Sequence, residues 1–218
     1  MSSARFATVI LDADSTLSGI EGIDWLATQR GPTVERAVRD HTDAAMRGEI
    51  ALEEVYAARL NSVQPTADDI LALGDAYCAT VAPDAVRVLK AGRDAGIRWI
   101  IVSGGLRQAL MPLAELLGVP AEDVHAVHIH FGSDGSYAGF DETSPLARAG
   151  GKPTVVRSLG ALKGPVLAVG DGHTDAELRS VVTEFWAYTG FVERPSVVAR
   201  ADRVVRSFGE LWSELQKR

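Results

Sequence analysis

A single cysteine, Cys78, among 218 residues excludes an internal disulfide and any multi-cysteine zinc site, and it agrees with a reducing compartment. Basic residues are outnumbered, 22 Lys and Arg against 29 Asp and Glu, giving a net charge of −7. That balance argues against a nucleic-acid partner, because binding to a phosphate backbone draws on a basic surface. An acidic substrate would need a local positive patch. No stretch approaches the roughly 18 apolar residues that span a bilayer, and no basic start leads into an apolar signal segment, so a cytoplasmic protein with no membrane partner is expected. Repeats, low-complexity tracts and flexible linkers are also missing. What is present, 46% hydrophobic and 23% charged residues, is ordinary for a globular protein. The length suits one domain, or a domain carrying a modest insertion.

The stretch Val9-Ile10-Leu11-Asp12-Ala13-Asp14-Ser15-Thr16-Leu17 organises the rest. Apolar residues from Phe6 through Leu11 suit a central parallel strand covered on both faces, and open α/β sheets bind ligands beyond the carboxyl ends of such strands. Asp12 and Asp14 therefore stand where chemistry is usually done. Two like charges there repel by about 1 kcal/mol at 4 Å in water and about 4 kcal/mol at an effective dielectric near 20, so a cation should share the site. Taken alone, the same residues also fit a solvated Asp-x-Asp turn with Ser15 and Thr16 bonding the local backbone.

From Ser18 to about Ala82 apolar residues recur at helical spacing among charges. Helices are expected over about 23–29, 33–46, 52–63 and 67–80, the last opening at Pro65-Thr66 with Asp68 and Asp69 behind it. From Ala82 the pattern alternates: a helix over 83–95, a strand over 99–102, the turn Ser103-Gly104-Gly105, and a helix over 106–117. Residues 127–140 alternate about Ser133-Asp134-Gly135-Ser136 as a β-hairpin does. A helix over 154–162, a buried strand over 166–169, and Gly170-Asp171-Gly172 opening another helix follow. A strand over 185–188, a helix over 195–201, a short strand at 204–205 and a helix over 209–216 complete the chain. The fold predicted is a doubly wound, Rossmann-like parallel sheet, the core formed by 1–17 and 82–218, with a small helical cap over 18–81 inserted after the first strand.

Four places converge on one edge of that sheet: Asp12 with Asp14, Ser103, Lys152, and Asp171 with Asp175. Ser103, ahead of Gly104 and Gly105, offers a hydroxyl and close backbone amides to an anion, or is simply a turn chosen for geometry. Asp171 is a natural ligand for magnesium, which takes oxygen donors. Asp175 either orients the site, ligates directly, or biases the first turn of its helix. Lys152 supplies a point charge against phosphate or the carboxylates, or is a solvated surface lysine. His128 and His130 fall on one strand face, with His125 nearby, and read as a polar hairpin face rather than a metal site. His173 reads as a loop residue, since magnesium prefers oxygen.

The order and spacing of these pieces resemble the haloacid dehalogenase superfamily of phosphohydrolases nearly end to end. Its first motif is matched by Asp12-Ala13-Asp14-Ser15-Thr16, its second by Ser103, its third by Lys152, and its fourth by Gly170-Asp171-Gly172-His173-Thr174-Asp175. The resemblance implies a magnesium-dependent phosphomonoesterase in which Asp12 attacks phosphorus and Asp14 serves as general acid and then general base. Magnesium is then held by Asp12, the Asp14 carbonyl and Asp171, with Asp175 supporting. Ser103, Lys152, the amides of Gly104 and Gly105, and Thr174 hold the phosphate. General acid catalysis serves an alkoxide leaving group, which carbon–halogen displacement does not produce, so Asp14 favours phosphate over halide chemistry.

More narrowly, Glu21-Gly22-Ile23-Asp24, Ser103-Gly104-Gly105 and residues 137–143 resemble the phosphoserine phosphatase branch of that superfamily. By that resemblance Glu21 meets the substrate ammonium, Arg59 pairs with its carboxylate, and Met46 packs nearby. As ordinary residues the three are a helix-start acid, an exposed helical charge and a core side chain. Arg47 stands where a glycine is common in the branch and Leu52 where an aromatic is common, which leaves the chemistry intact and opens the substrate to other small phosphomonoesters such as phosphohomoserine. The alternatives are a phosphotransferase using an acceptor alcohol, and a phospho-ligand-binding protein without turnover.

Overall fold

The computed structural model describes residues 5–46 and 52–217, with the side chains of 42–46 and of 52 and 53 left out. Strand β1 (Thr8–Leu11) is wholly buried and pairs in parallel on both sides, with β2 (Arg98–Leu106) and β6 (Val166–Gly170). With β3 (Val124–Val127), β7 (Glu184–Tyr188) and β8 (Arg203–Val205) they form a six-stranded parallel sheet in the order β3-β2-β1-β6-β7-β8. The chain builds outward from β1 to β3, then returns to the other side of β1, so the switch point lies between β1 and β6. A crevice opens there beyond the strand ends.

The sheet buries both faces, and alternation assigns them. Val9, Leu11, Trp99, Ile101, Leu167 and Val169 share one apolar cluster, while Ile10, Ile100, Val102, Val166 and Ala168 share the other. Helices α5 (Ala85–Asp94), α6 (Arg107–Leu117) and α10 (Phe208–Leu215) cover the first face. On the second lie α7 (Gly151–Ser158), α8 (His173–Ala176) and α9 (Pro195–Val198), through Val156, Ala176 and Val197.

The insertion after β1 is helical as expected: α1 (Gly22–Gln29), α2 (Pro32–Met46), α3 (Leu52–Val63) and α4 (Ala67–Ala79). Thr66 caps α4 in a reciprocal pair with Asp69, the signal legible at Pro65-Thr66. Leu26, Leu60, Leu73 and Tyr77 of these helices belong to the same cluster as Val9 and Leu11, so insertion and sheet share one continuous core. Among the described residues no helix is long and apolar enough to cross a membrane.

Three expectations are corrected. Ser103-Gly104-Gly105 is not a turn after the strand but the irregular end of β2, whose register against β3 shifts between Val102 and Leu106. The hairpin is confined to β4 (Ile129–Phe131) and β5 (Tyr137–Phe140), because Val127 pairs with Leu106 in the main sheet. Helix α7 begins at Gly151 rather than Thr154, which places Lys152 in its first turn.

Candidate active site

The turn that follows β1 aims its polar groups at the crevice. Ser15 adopts a left-handed conformation at φ 51°, and the amides of Thr16, Leu17 and Ser18 all donate to the Ala13 carbonyl. This tight loop holds Asp12 and Asp14 at the sheet edge. Both lie on the wall of a cavity of about 390 Å³, together with Ser103, Gly104, Lys152 and Asp171. Four of the sequence's converging places therefore meet in one space.

Asp12 is buried, and its Oδ1 accepts from the Ala13 amide at 2.8 Å and from Lys152 Nζ at 2.8 Å. The same Nζ donates to Asp175 Oδ1 at 2.6 Å. Burial pulls the Lys152 ammonium down, but the Asp12 and Asp175 carboxylates outweigh it and hold the group above the ordinary lysine value. The cation demanded by the acid pair is thus Lys152. Its helix comes close enough because Gly151 has no side chain: a Cβ there would lie 1.9 Å from the Pro145 carbonyl oxygen.

Asp14 lies in a different setting. The Tyr77 hydroxyl donates to its Oδ1 at 2.5 Å. Burial, then the Glu21 and Asp12 carboxylates, push its carboxyl up to about 8 against the bonds from Tyr77 and the Gly22 amide. Its surroundings thus favour the protonated carboxyl, two residues from an ion-paired carboxylate. Paired acids held in divergent settings are suited to unlike chemical roles.

Carboxylate oxygens of Asp12, Asp171 and Asp175, all buried, lie within 4.8 Å of one another. Thr16 Oγ1 donates to Asp171 Oδ1 at 2.9 Å, and the Arg194 guanidinium pairs with Asp171 Oδ2. Oxygen-only donors of this charge fit a small divalent cation such as magnesium. Asp175 has both oxygens engaged, Oδ1 by Lys152 and Oδ2 by the Gly172 amide at 2.9 Å, so its geometry suits orientation more than ligation.

Further residues fall into place unevenly. Glu21 lines the cavity, accepting from Ser15 Oγ at 2.8 Å and facing Arg194 Nη2 at 3.4 Å. Arg59 lines it too, paired with Asp24 at 2.9 Å while its buried Nε has no partner among the described residues. Thr174 and His173 also reach the wall. Gly105 does not: its amide is turned to Ser103 Oγ at 3.0 Å. The Met46 side chain and Arg47 lie outside the described residues, as does the Leu52 side chain. His128 and His130 are exposed on the hairpin.

Sequence reasoning missed Tyr77, Arg194 and Tyr56, whose hydroxyl donates to the Gly104 carbonyl at 2.9 Å. A tyrosine at helical spacing reads as core, and Arg194 gave only the signal of a basic residue before Pro195 beyond a strand end.

A family model of haloacid dehalogenase-like hydrolases matches residues 9–179. The chloroplastic phosphoserine phosphatase of Arabidopsis thaliana is 36% identical over 211 residues, covering 95% of this chain and 71% of the plant protein. The phosphoserine phosphatase of Rattus norvegicus is 33% identical over 214 residues, covering 96% of this chain and 93% of the rat protein. A phosphoserine phosphohydrolase-like protein from Francisella tularensis subsp. tularensis SCHU S4 superposes with a TM-score of 0.84 at 28% identity, covering 95% of this chain and 99% of that one.

Proposed function

The chain belongs to the haloacid dehalogenase-like hydrolase family, and on that premise we propose that it is a magnesium-dependent phosphomonoesterase acting on L-phosphoserine. The observation that carries the chemistry is the pairing of unlike acids on one cavity wall: Asp12 ion-paired to a buried lysine, and Asp14 away from that lysine with the Tyr77 hydroxyl on its Oδ1.

Asp12 Oδ1 is occupied by the Ala13 amide and Lys152, which leaves Oδ2 as the attacking oxygen. Asp14 gives its proton to the departing alkoxide and takes one back from the water that hydrolyses the aspartyl phosphate. Lys152 keeps positive charge beside the nucleophile, countering repulsion between a carboxylate and a phosphate dianion. Ser103 and the Gly104 backbone lie on the wall where the transferring oxygens would rest. Asp12, Asp171 and the Asp14 carbonyl would hold magnesium, which when bound would supply Lewis-acid stabilisation of developing charge.

The choice of L-phosphoserine is supported by the curated relatives and by Glu21 and Arg59 standing on the same wall. Glu21 suits the substrate ammonium and Arg59 its carboxylate, with Arg59 drawn from its bond to Asp24. Met46 is assigned beside them by resemblance alone.

The test is phosphate release from L-phosphoserine, phosphothreonine, phosphohomoserine and sugar phosphates, with magnesium and with chelator. A magnesium-dependent preference for L-phosphoserine, abolished by Asp12→Asn, is expected. Substantial turnover by Asp12→Asn overturns the mechanism. Activity confined to other esters overturns the substrate and keeps the chemistry.

A further inference from the structure

Tyr77 is completely buried near the end of α4, and it crosses from the insertion to bond the acid of the sheet edge. Its hydroxyl enters a niche made by backbone. A Cβ on Gly22, the first residue of α1, would lie 2.2 Å from the Tyr77 oxygen, and one on Gly105 would lie 3.4 Å away. The first distance is far inside contact, so the hydroxyl reaches Asp14 only because residue 22 has no side chain. The helix that carries Tyr77 is fixed at its start by the Thr66 and Asp69 pair and packs along α6. A phenylalanine would fill the same apolar space. The buried hydroxyl needs a partner, and the one it has is Asp14.

We infer that Tyr77 is a positioning residue for proton transfer: it anchors Asp14 Oδ1, so that Oδ2 carries the proton delivered to the leaving oxygen. The inference rests on the role given to Asp14 above. In the first half-reaction Asp12 Oδ2 bonds to phosphorus, and the bond from phosphorus to the ester oxygen breaks with its electron pair on that oxygen. That oxygen takes the Asp14 proton and leaves as the alcohol. In the second, the water oxygen bonds to phosphorus, its proton returns to Asp14, and the pair in the phosphorus–Asp12 bond returns to Asp12. Tyr77 keeps its own proton throughout, holding the carboxyl in one orientation for both transfers.

The experiment compares two esters in single-turnover release of the alcohol, which reads the first half-reaction alone. L-phosphoserine expels an alkoxide that needs a proton, whereas p-nitrophenyl phosphate expels a phenolate that does not. Tyr77→Phe should slow alcohol release from L-phosphoserine roughly ten- to a hundredfold, the worth of one hydrogen bond to an acid. Release from the aryl ester should change less than about threefold, since no such bond is called upon there. Gly22→Ala keeps the phenol but crowds it away from Asp14; because the Gly22 amide also bonds Asp14, its contrast should be at least as large as that of Tyr77→Phe. A loss of packing that reached Glu21 or Arg59 would weaken the binding of L-phosphoserine alone, so both rates are taken at saturating ester, where the chemical step is read. Equal slowing of both esters, or of neither, by both variants overturns the inference. Asp14→Asn separates the two levels: a contrast in Asp14→Asn with none in Tyr77→Phe and Gly22→Ala removes Tyr77 only, whereas no contrast in Asp14→Asn removes the Asp14 role itself.

Discussion

Replacing Lys152 with Met takes one buried cation from between two buried carboxylates. The ammonium lies 2.8 Å from Asp12 and 2.6 Å from Asp175. Each contact is worth about 6 kcal/mol of Coulomb attraction at an effective dielectric near 20, before the cost of desolvating the ammonium is set against it. Removing one partner of a buried pair generally costs about 3–5 kcal/mol, because the other charge is left buried and uncompensated. The metal-free Lys152→Met protein should lose that much stability at pH 7, read by urea unfolding through the fluorescence of buried Trp99 and Trp186. The sign with pH follows. Burial and the Asp12 charge already push the Asp175 carboxyl up to about 7; without the cation it holds its proton still more tightly in the folded state, so its share of the deficit shrinks as pH falls below that value. Magnesium bound at Asp12 would also offset its charge, and at a hundredfold excess over its dissociation constant it should restore up to about 2.7 kcal/mol. A loss below about 1 kcal/mol, or a deficit that neither acid nor magnesium relieves, refutes this account of what Lys152 does.

Other expectations are more local. Thr16→Val removes the bond to Asp171 Oδ1 and should weaken magnesium binding about ten- to a hundredfold by calorimetry, with the fold retained in circular dichroism. Gly170→Ala places a Cβ 2.2 Å from Asp175 Cγ, so it should displace Asp175, cost about 1–3 kcal/mol in thermal or urea unfolding, and impair turnover. Asp14 is raised to about 8, so the proton needed for alcohol release is lost as pH rises through that value. Single-turnover rates on L-phosphoserine should fall across that window, while those on p-nitrophenyl phosphate fall less.

The sheet was legible because its strands are short apolar runs, and β1, β2 and β6 lead into acids, glycine or serine at the crevice. Asp12, Ser103 and Asp171 could be named because each sits at or just beyond such an end, and Lys152 because it follows Gly150-Gly151 at the start of α7. Val127 was placed in the hairpin, and β3 went unrecognised, because alternating His and apolar residues suit a hairpin and a sheet edge equally, and only long-range pairing with Leu106 decides. Ser103-Gly104-Gly105 read as a turn because glycine pairs usually mark one, whereas β2 continues through them. Tyr77 and Arg194 were hidden for another reason. Their partners, Asp14 and Glu21 with Asp171, lie far away in sequence, and nothing local distinguishes a tyrosine that fills space from one that holds an acid.

The parallel pairing of β1 with both β2 and β6 sets the order in which the protein acquires its chemistry. Asp12 is made early, yet it has no partner for a divalent ion until β6 has emerged and slotted in beside β1 to present Asp171. Loop closure over such separations is slow, and the reward comes only when the distant strand docks. A nascent or partly unfolded chain therefore offers scattered carboxylates with no chelating power. Metal uptake at this centre would report that the two halves of the sheet have met.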